Sequence, residues 1–314
     1  MPTFKIHHIT RYEYDRPVRE SANQIKLFPY LPAGQEVLKH DLRITNDPLI
    51  NRFEDYWGNT TGLFMVPDHH AQLEIDSRLV VATGKPGSNQ WASSRRSDWQ
   101  QLPGSLGTNL RLLDLSRPEI LHSLDTIRSI ISDMKPYWDA PAMFIQRCSE
   151  YIFSSFTYQK GITTVETTVD EILQHRRGVC QDFAHVLLEM LRLVGIPSRY
   201  VSGYICPNKD GARGAGATHA WVEAWLPSTG WVGIDPTNNT WVGEYHVPLA
   251  VGRHFNDCSP VKGTFKGPAN QQLLVYVSVG YEDGTVQKDE TLVQLTAEPS
   301  ILPPVAQGPQ QQQQ

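Results

Sequence analysis

Cys180, His219 and Asp235 bring together the three side-chain types that nucleophilic attack on an amide requires. A thiolate attacks the carbonyl, an imidazole holds and then delivers the proton, and a carboxylate fixes the imidazole's tautomer. Such groups must converge in space, not in sequence, so the segments that carry them decide whether they form a unit.

Cys180 lies in Arg176-Arg177-Gly178-Val179-Cys180-Gln181-Asp182-Phe183-Ala184-His185, which runs into Val186 to Val194, apolar nearly all round and stopped by Gly195 with Pro197 beyond. This pattern predicts a buried central helix with Cys180 at its start, where unpaired N–H groups and the helix dipole favour a thiolate. Strands are expected over Ser198 to Ile205, Thr218 to Leu226 and Trp231 to Asp235. Alternation puts His219, Trp221, Glu223 and Trp225 on one face, with His219 expected to face the central helix. A four-residue Pro227–Gly230 loop would set Asp235 opposite Val222 and turn it away from His219. The triad therefore requires an odd-length loop or a bulge. Helices followed by antiparallel strands indicate an α+β fold.

The segments GVCQDFAH, SRYVSGY, THAWVEAWLP and GWVGIDPTN, within Phe156 to Asn239, resemble the core of bacterial transglutaminase-like cysteine proteins. The resemblance implies a papain-like core, with the nucleophile helix packed on an antiparallel sheet. It also implies that Cys180 is the nucleophile, His219 the base and Asp235 the orienting acid, and that the β-rich start is similar to the region that often precedes this core. The papain signature CGxCW is absent around Cys180.

Away from these segments, Phe4 to about Gly84 is strand-like and predicts an N-terminal β-sandwich-like domain over 1–84, with strands at Lys5 to Tyr14, Glu36 to Thr45, Gly62 to Val66 and Gln72 to Val81. Residues 85–115 begin rich in Gly, Ser, Pro and Gln and are expected to be a linker ahead of a catalytic domain over 116–296. Helices are expected at Ser123 to Met134 and Pro141 to Phe156, the second burying Met143, Ile145, Tyr151, Ile152 and Phe156. A short third helix opens at Thr168 on a Thr-x-x-Glu capping box and ends near His175. Leu273 to Tyr281 reads as a strand, and 297–314, ending in a glutamine run, as a disordered tail.

The expected activity is hydrolysis of peptide or isopeptide bonds through a thioester, with transglutaminase-type acyl transfer to an amine as an alternative and a noncatalytic scaffold as a third reading. The Cys180 N–H is a natural oxyanion donor, and Tyr158 or Gln181 is a candidate second one. Trp221, near Trp225, Trp231 and Trp241, is a candidate wall for an acyl groove or else core. Four scattered cysteines without CxxC spacing argue against a disulfide framework and structural zinc, and His246, His254 and Cys258 lack paired metal-ligand spacing. No metal and no cofactor are expected. A net charge of −5 gives no reason to expect nucleic acid, and no apolar run reaches membrane-spanning length. The start, without a basic and then apolar leader pattern, leads to the expectation of a cytoplasmic protein. The expected partner is a peptide or protein amide; oligomeric state is open.

Overall fold

The computed structural model describes residues 2–31, 34–84, 90–206, 213, 218–282 and 291–295. Five strands come first: β1 (Thr3–Ile25), β2 (Gln35–Ile44), β3 (Asn51–Glu54), β4 (Thr60–Val66) and β5 (His70–Thr83). A mainly helical stretch follows, with α1 (Asp98–Thr108), α2 (Leu110–Leu115), α3 (Leu124–Asp133), α4 (Pro141–Ser155), β6 (Thr157–Tyr158), α5 (Val169–His175), β7 (Arg177–Gly178) and α6 (Cys180–Leu193). The chain continues through β8 (Ser198–Ile205), β9 (Thr218–Leu226), β10 (Gly230–Asp235), β11 (Thr240–Trp241), β12 (His246–Gly252), α7 (Phe255–Cys258), β13 (Val261–Lys266), β14 (Gln271–Tyr281) and β15 (Thr291–Leu295). The result is α+β, with a β-rich N-terminal part and a core of helices packed on an antiparallel sheet. Among the described residues no helix is long and apolar enough to cross a membrane.

β1 belongs to two sheets. Its first half pairs with β5 and β14, and its second half with β4 and β13, the β5 register breaking between Glu13 and Val18 and the β13 register between Arg19 and Ala22. Inward side chains such as Phe4, Ile6, Ile25, Phe64, Val66, Leu73, Ile75 and Leu79 fill one core shared by these strands. β13 and β14, which fall within the expected catalytic span 116–296 and outside the expected 1–84, pair with β1 and join this core. An alternating pattern identifies a strand without saying which sheet it joins, and β1 needs partners on both sides along its length.

The expected linker is corrected, because within 85–115 the described residues 90–115 carry α1 and α2. Leu102, Leu112 and Leu115 are buried, and the Trp99 indole donates to the Asp139 carbonyl at 2.8 Å. Tertiary burial overrides the Gly- and Pro-rich composition here, even with Pro103 inside α1. α4 buries Phe144, Ile145, Cys148 and Ile152, while Met143, expected inside, is exposed. The expected tail, 297–314, lies outside the described residues.

The central sheet has the antiparallel order β11-β10-β9-β8-β12. On one face Ala220, Val222, Ala224 and Leu226 of β9 pack with Phe183, Ala184, Leu187 and Leu191 of α6. Each such Leu or Phe contributes about 1.5–3 kcal/mol by burial. The other face is covered by the N-terminal part: Tyr204, Val247 and Leu249 join the core of Phe4 and Ile6, and Trp221, Val201 and Val251 pack against Tyr30 and Trp57.

Polar contacts fasten the same junction. His8 Nδ1 meets the Tyr204 hydroxyl at 2.8 Å, and burial pushes the His8 imidazole down to about 4, so it stays neutral. Asn59 acts as a one-residue strand against β12, its Nδ2 donating to the Val251 carbonyl at 2.7 Å and its Oδ1 accepting the Val251 N–H at 2.8 Å. Both bonds are buried. Asn59→Ala should therefore cost about 2–4 kcal/mol, two lost bonds plus two stranded backbone groups, read as a lower urea midpoint with an unchanged slope.

Candidate active site

Cys180 is the first residue of α6 and is 9% exposed. Val179 ahead of it is extended, and its N–H donates to Asp182 Oδ2 at 2.7 Å. Thr163 Oγ1 donates to the same oxygen at 2.7 Å, tying the loop before α5 to the helix start. Burial pushes the Asp182 carboxyl up, against the lowering effect of these two bonds. Gly178 is required by this cap, because a Cβ there would run into the Asp182 side chain. Among the described residues the N–H groups of Cys180 and Gln181 have no acceptor, as expected for the open first turn of a helix.

His219 and Asp235 are brought together by the turn between β9 and β10. Leu226 pairs with Gly230, which leaves the three-residue loop Pro227-Ser228-Thr229 in place of the four-residue one. Gly230 at φ +78° supplies the left-handed residue that closes such a loop. With Ile234 opposite Val222, Asp235 falls beside Trp221 and on the face of His219. That face is not the one on α6. Ala220, Val222 and Ala224 take the helix side, so the expectation that His219 points with its strand face toward the helix is corrected; the imidazole sits at the beginning of β9, next to the Cys180 end of α6.

His219 Nε2 and Asp235 Oδ2 are 2.8 Å apart, and both side chains are 0% exposed. Asp235 Oδ1 accepts the Thr237 and Asn238 N–H groups at 2.9 and 3.3 Å, and Oδ2 also accepts from Asn238 Nδ2 at 2.7 Å. Burial alone would raise the Asp235 carboxyl, but the His219 charge and hydrogen bond outweigh it and hold the group well below the usual carboxylate range. Burial likewise would lower His219, but Asp235 and then Cys180 overcome it and push the imidazole up to about 10. The other ring nitrogen, Nδ1, is buried with no hydrogen-bond partner among the described residues, which leaves it for the neighbouring thiol. The arrangement can keep an imidazolium beside a thiolate and pass a proton through Nδ1.

Tyr158 pairs through β6 with Gly178 of β7, two residues before the thiol. Burial first, then the charges of Cys180 and Asp235, push its phenol well above the usual range, so it remains a hydroxyl donor. Gln181 is half-buried at the second position of α6. Trp221 is fully buried beneath the pair, its ring 6.4 Å from His219, and lines no open groove. The other tryptophans do not converge on one wall: Trp231 lies under the Arg199 guanidinium at 4.1 Å, and Trp241 stacks on Trp91 at 5.1 Å. Of His246, His254 and Cys258, the first stands 3.6 Å from Asp235, the second has Nδ1 3.9 Å from Asp257, and the Cys258 thiol is at the Tyr200 carbonyl.

Three supporting residues, Asp182, Asn238 and His246, lie outside the sequence expectations for the site. Asp182 was legible as an acid three residues after Val179, and Asn238 as the end of the Asp-Pro-Thr-Asn turn. His246 carries no local pattern that places it by Asp235.

Residues 133–236 match the profile of the transglutaminase-like superfamily, and 4–82 that of the bacterial transglutaminase-like N-terminal region. An uncharacterized protein of Mycobacterium leprae is 31% identical over 278 residues, covering 88% of this chain and 97% of that one. A protein-glutamine gamma-glutamyltransferase of Pseudomonas aeruginosa is 29% identical over 154 residues, 46% of this chain and 23% of its own length. A crystal structure of a candidate cysteine protease from Cytophaga hutchinsonii shares the fold at a TM-score of 0.70, with 19% identity and 93% of each chain covered.

The raised imidazole has a consequence for stability. Because His219 in the folded chain sits at about 10 against an ordinary 6.5, its contribution is complete below about pH 6.5 and is lost as pH rises through about 10. Urea unfolding of wild type and His219→Gln across pH 6–10 should show wild type losing stability relative to the variant over that window.

Proposed function

Since the chain belongs to the transglutaminase-like superfamily, with a bacterial transglutaminase-like N-terminal region before the core, we propose that it is a cysteine-dependent amide hydrolase acting through Cys180, His219 and Asp235. The observation that carries this reading is the fully buried His219–Asp235 contact of 2.8 Å, with Nδ1 unpartnered among the described residues and a thiol at the adjacent helix start.

In the first half-reaction the Cys180 thiolate attacks the amide carbonyl, and the oxygen takes the negative charge facing the Cys180 N–H. The Tyr158 hydroxyl is the preferred second donor because it stays protonated beside the thiol; Gln181 is the other candidate. The C–N bond then breaks as His219 delivers its proton to the departing amine, leaving a thioester. Water, deprotonated by His219, attacks the thioester, and the C–S bond breaks to release the acid and restore the thiolate and imidazolium. Asp235 remains a carboxylate throughout and keeps the ring oriented.

A second reading, transfer of the acyl group to an amine, is favoured by the name of the Pseudomonas aeruginosa relative. It uses the same residues and differs only in what attacks the thioester. A noncatalytic scaffold is the third reading. The four cysteines are all buried and unpaired, which suits a reducing compartment and supports a cytoplasmic setting.

A mixed peptide library, incubated with and without a primary amine and followed by mass analysis, separates the three readings. Cleaved peptides indicate hydrolysis, amine adducts indicate transfer, and identical traces for wild type and Cys180→Ala favour the scaffold. With an identified substrate, Cys180→Ala should lower kcat/KM by at least about 10³-fold. Tyr158→Phe should lower kcat by about 10²-fold with little change in KM, the mark of a donor used only in the transition state.

A further inference from the structure

A second imidazole stands against the carboxylate that orients His219. His246, the first residue of β12, places Nε2 3.6 Å from Asp235 Oδ2. Its Nδ1 accepts the Gly243 N–H at 3.3 Å. A nitrogen that accepts is unprotonated, so in the neutral ring the proton is on Nε2 and faces the acid. His246 is buried, and Nε2 has no hydrogen-bonded partner among the described residues. Trp221 packs against the ring edge to face, with centroids 5.2 Å apart, and so limits its tilt. A separation of 3.6 Å is too long for a formed hydrogen bond. Around a carboxylate with no exposure, though, an aligned N–H dipole still acts, because there is little water to screen it.

We propose that His246 is a positioning residue for Asp235, its Nε2–H holding Oδ2 from a second direction and sharing that oxygen with His219. The inference rests on the reading of Cys180, His219 and Asp235 as one unit. Other charged or titratable groups face the site: Cys180 and Asp182 from α6, Tyr158 from β6, and Arg213 near the Tyr158 hydroxyl. Those groups are the same with or without His246. Removing the Nε2–H leaves Oδ2, among the described residues, to His219 and Asn238, so the carboxylate binds the His219 imidazolium more strongly and the proton leaves at higher pH.

Two variants separate the N–H from the space the ring fills. His246→Asn keeps an oxygen where Nδ1 accepts from Gly243 but does not reach Asp235, and His246→Gln carries a donor out to the Nε2 position. The readouts are the alkaline limb of Cys180 alkylation by iodoacetamide and the NMR titration of the His219 ring. Both should move upward by about 0.5–1 unit in His246→Asn and stay near wild type in His246→Gln. No shift in His246→Asn, or equal shifts in the two variants, would overturn the proposal. In wild type the nitrogen shifts of His246 should show the Nε2–H tautomer; an Nδ1–H tautomer overturns it without any variant having to fold. Failure of the underlying catalytic reading looks different: wild-type Cys180 would then resist alkylation near neutral pH, while the His219 ring still reports whether His246 acts on Asp235.

Discussion

A carboxylate with no exposed surface survives only inside a shell of donors, and the core of this protein is arranged around one such group. Leaving Asp235 buried and unpaired would cost several kcal/mol, a large share of the roughly 5–15 kcal/mol that keeps a typical domain folded. Two backbone N–H groups, the Asn238 amide and His219 meet that requirement directly. Three of these four donors come from the turn that immediately follows β10, so one short stretch of chain supplies the acid and much of its shell. The three-residue β9–β10 loop then decides that the acid lies beside His219 and not behind it.

The dry environment of that group depends on parts of the chain remote from it. α6 seals one face of the central sheet, and the N-terminal β structure seals the other through Tyr30, Trp57 and the Tyr204–His8 contact. β8 accordingly has seven of its eight residues buried, unlike a strand with one face in water. The N-terminal part thus does more than sit alongside the core: without it, Trp221 would be bare, and the floor under His219 and Asp235 would be wet.

Much of the central unit was legible in the sequence because local signals agreed there. The apolar run after Cys180, the Gly195 stop and the Thr168 capping box led to α6 and α5, with the cap formed as a Thr168–Glu171 pair. β8 and β9 fall on their expected spans. Loop parity is legible as the condition for bringing Asp235 to His219, but whether Gly230 is the last loop residue or the first strand residue depends on one left-handed φ. What stayed hidden was non-local. α1 and α2 exist because Leu102 and Leu112 find a core, and His246 reaches Asp235 only because β12 pairs with β8. No run of neighbouring residues encodes such meetings.

The sharing of β1 has a consequence for how the protein is made. Phe4 pairs with Tyr281, and Lys5 reaches the Glu282 carbonyl across 277 positions of sequence. On the ribosome β1 emerges long before β13 and β14, so an extended, partly apolar edge must wait through synthesis of the entire core. Pairings of such span are slow to close, and an uncovered edge of this kind recruits strands from other chains. The principal hazard during biosynthesis is therefore aggregation through β1, with a yield set by how quickly late strands arrive or a chaperone shields the early one.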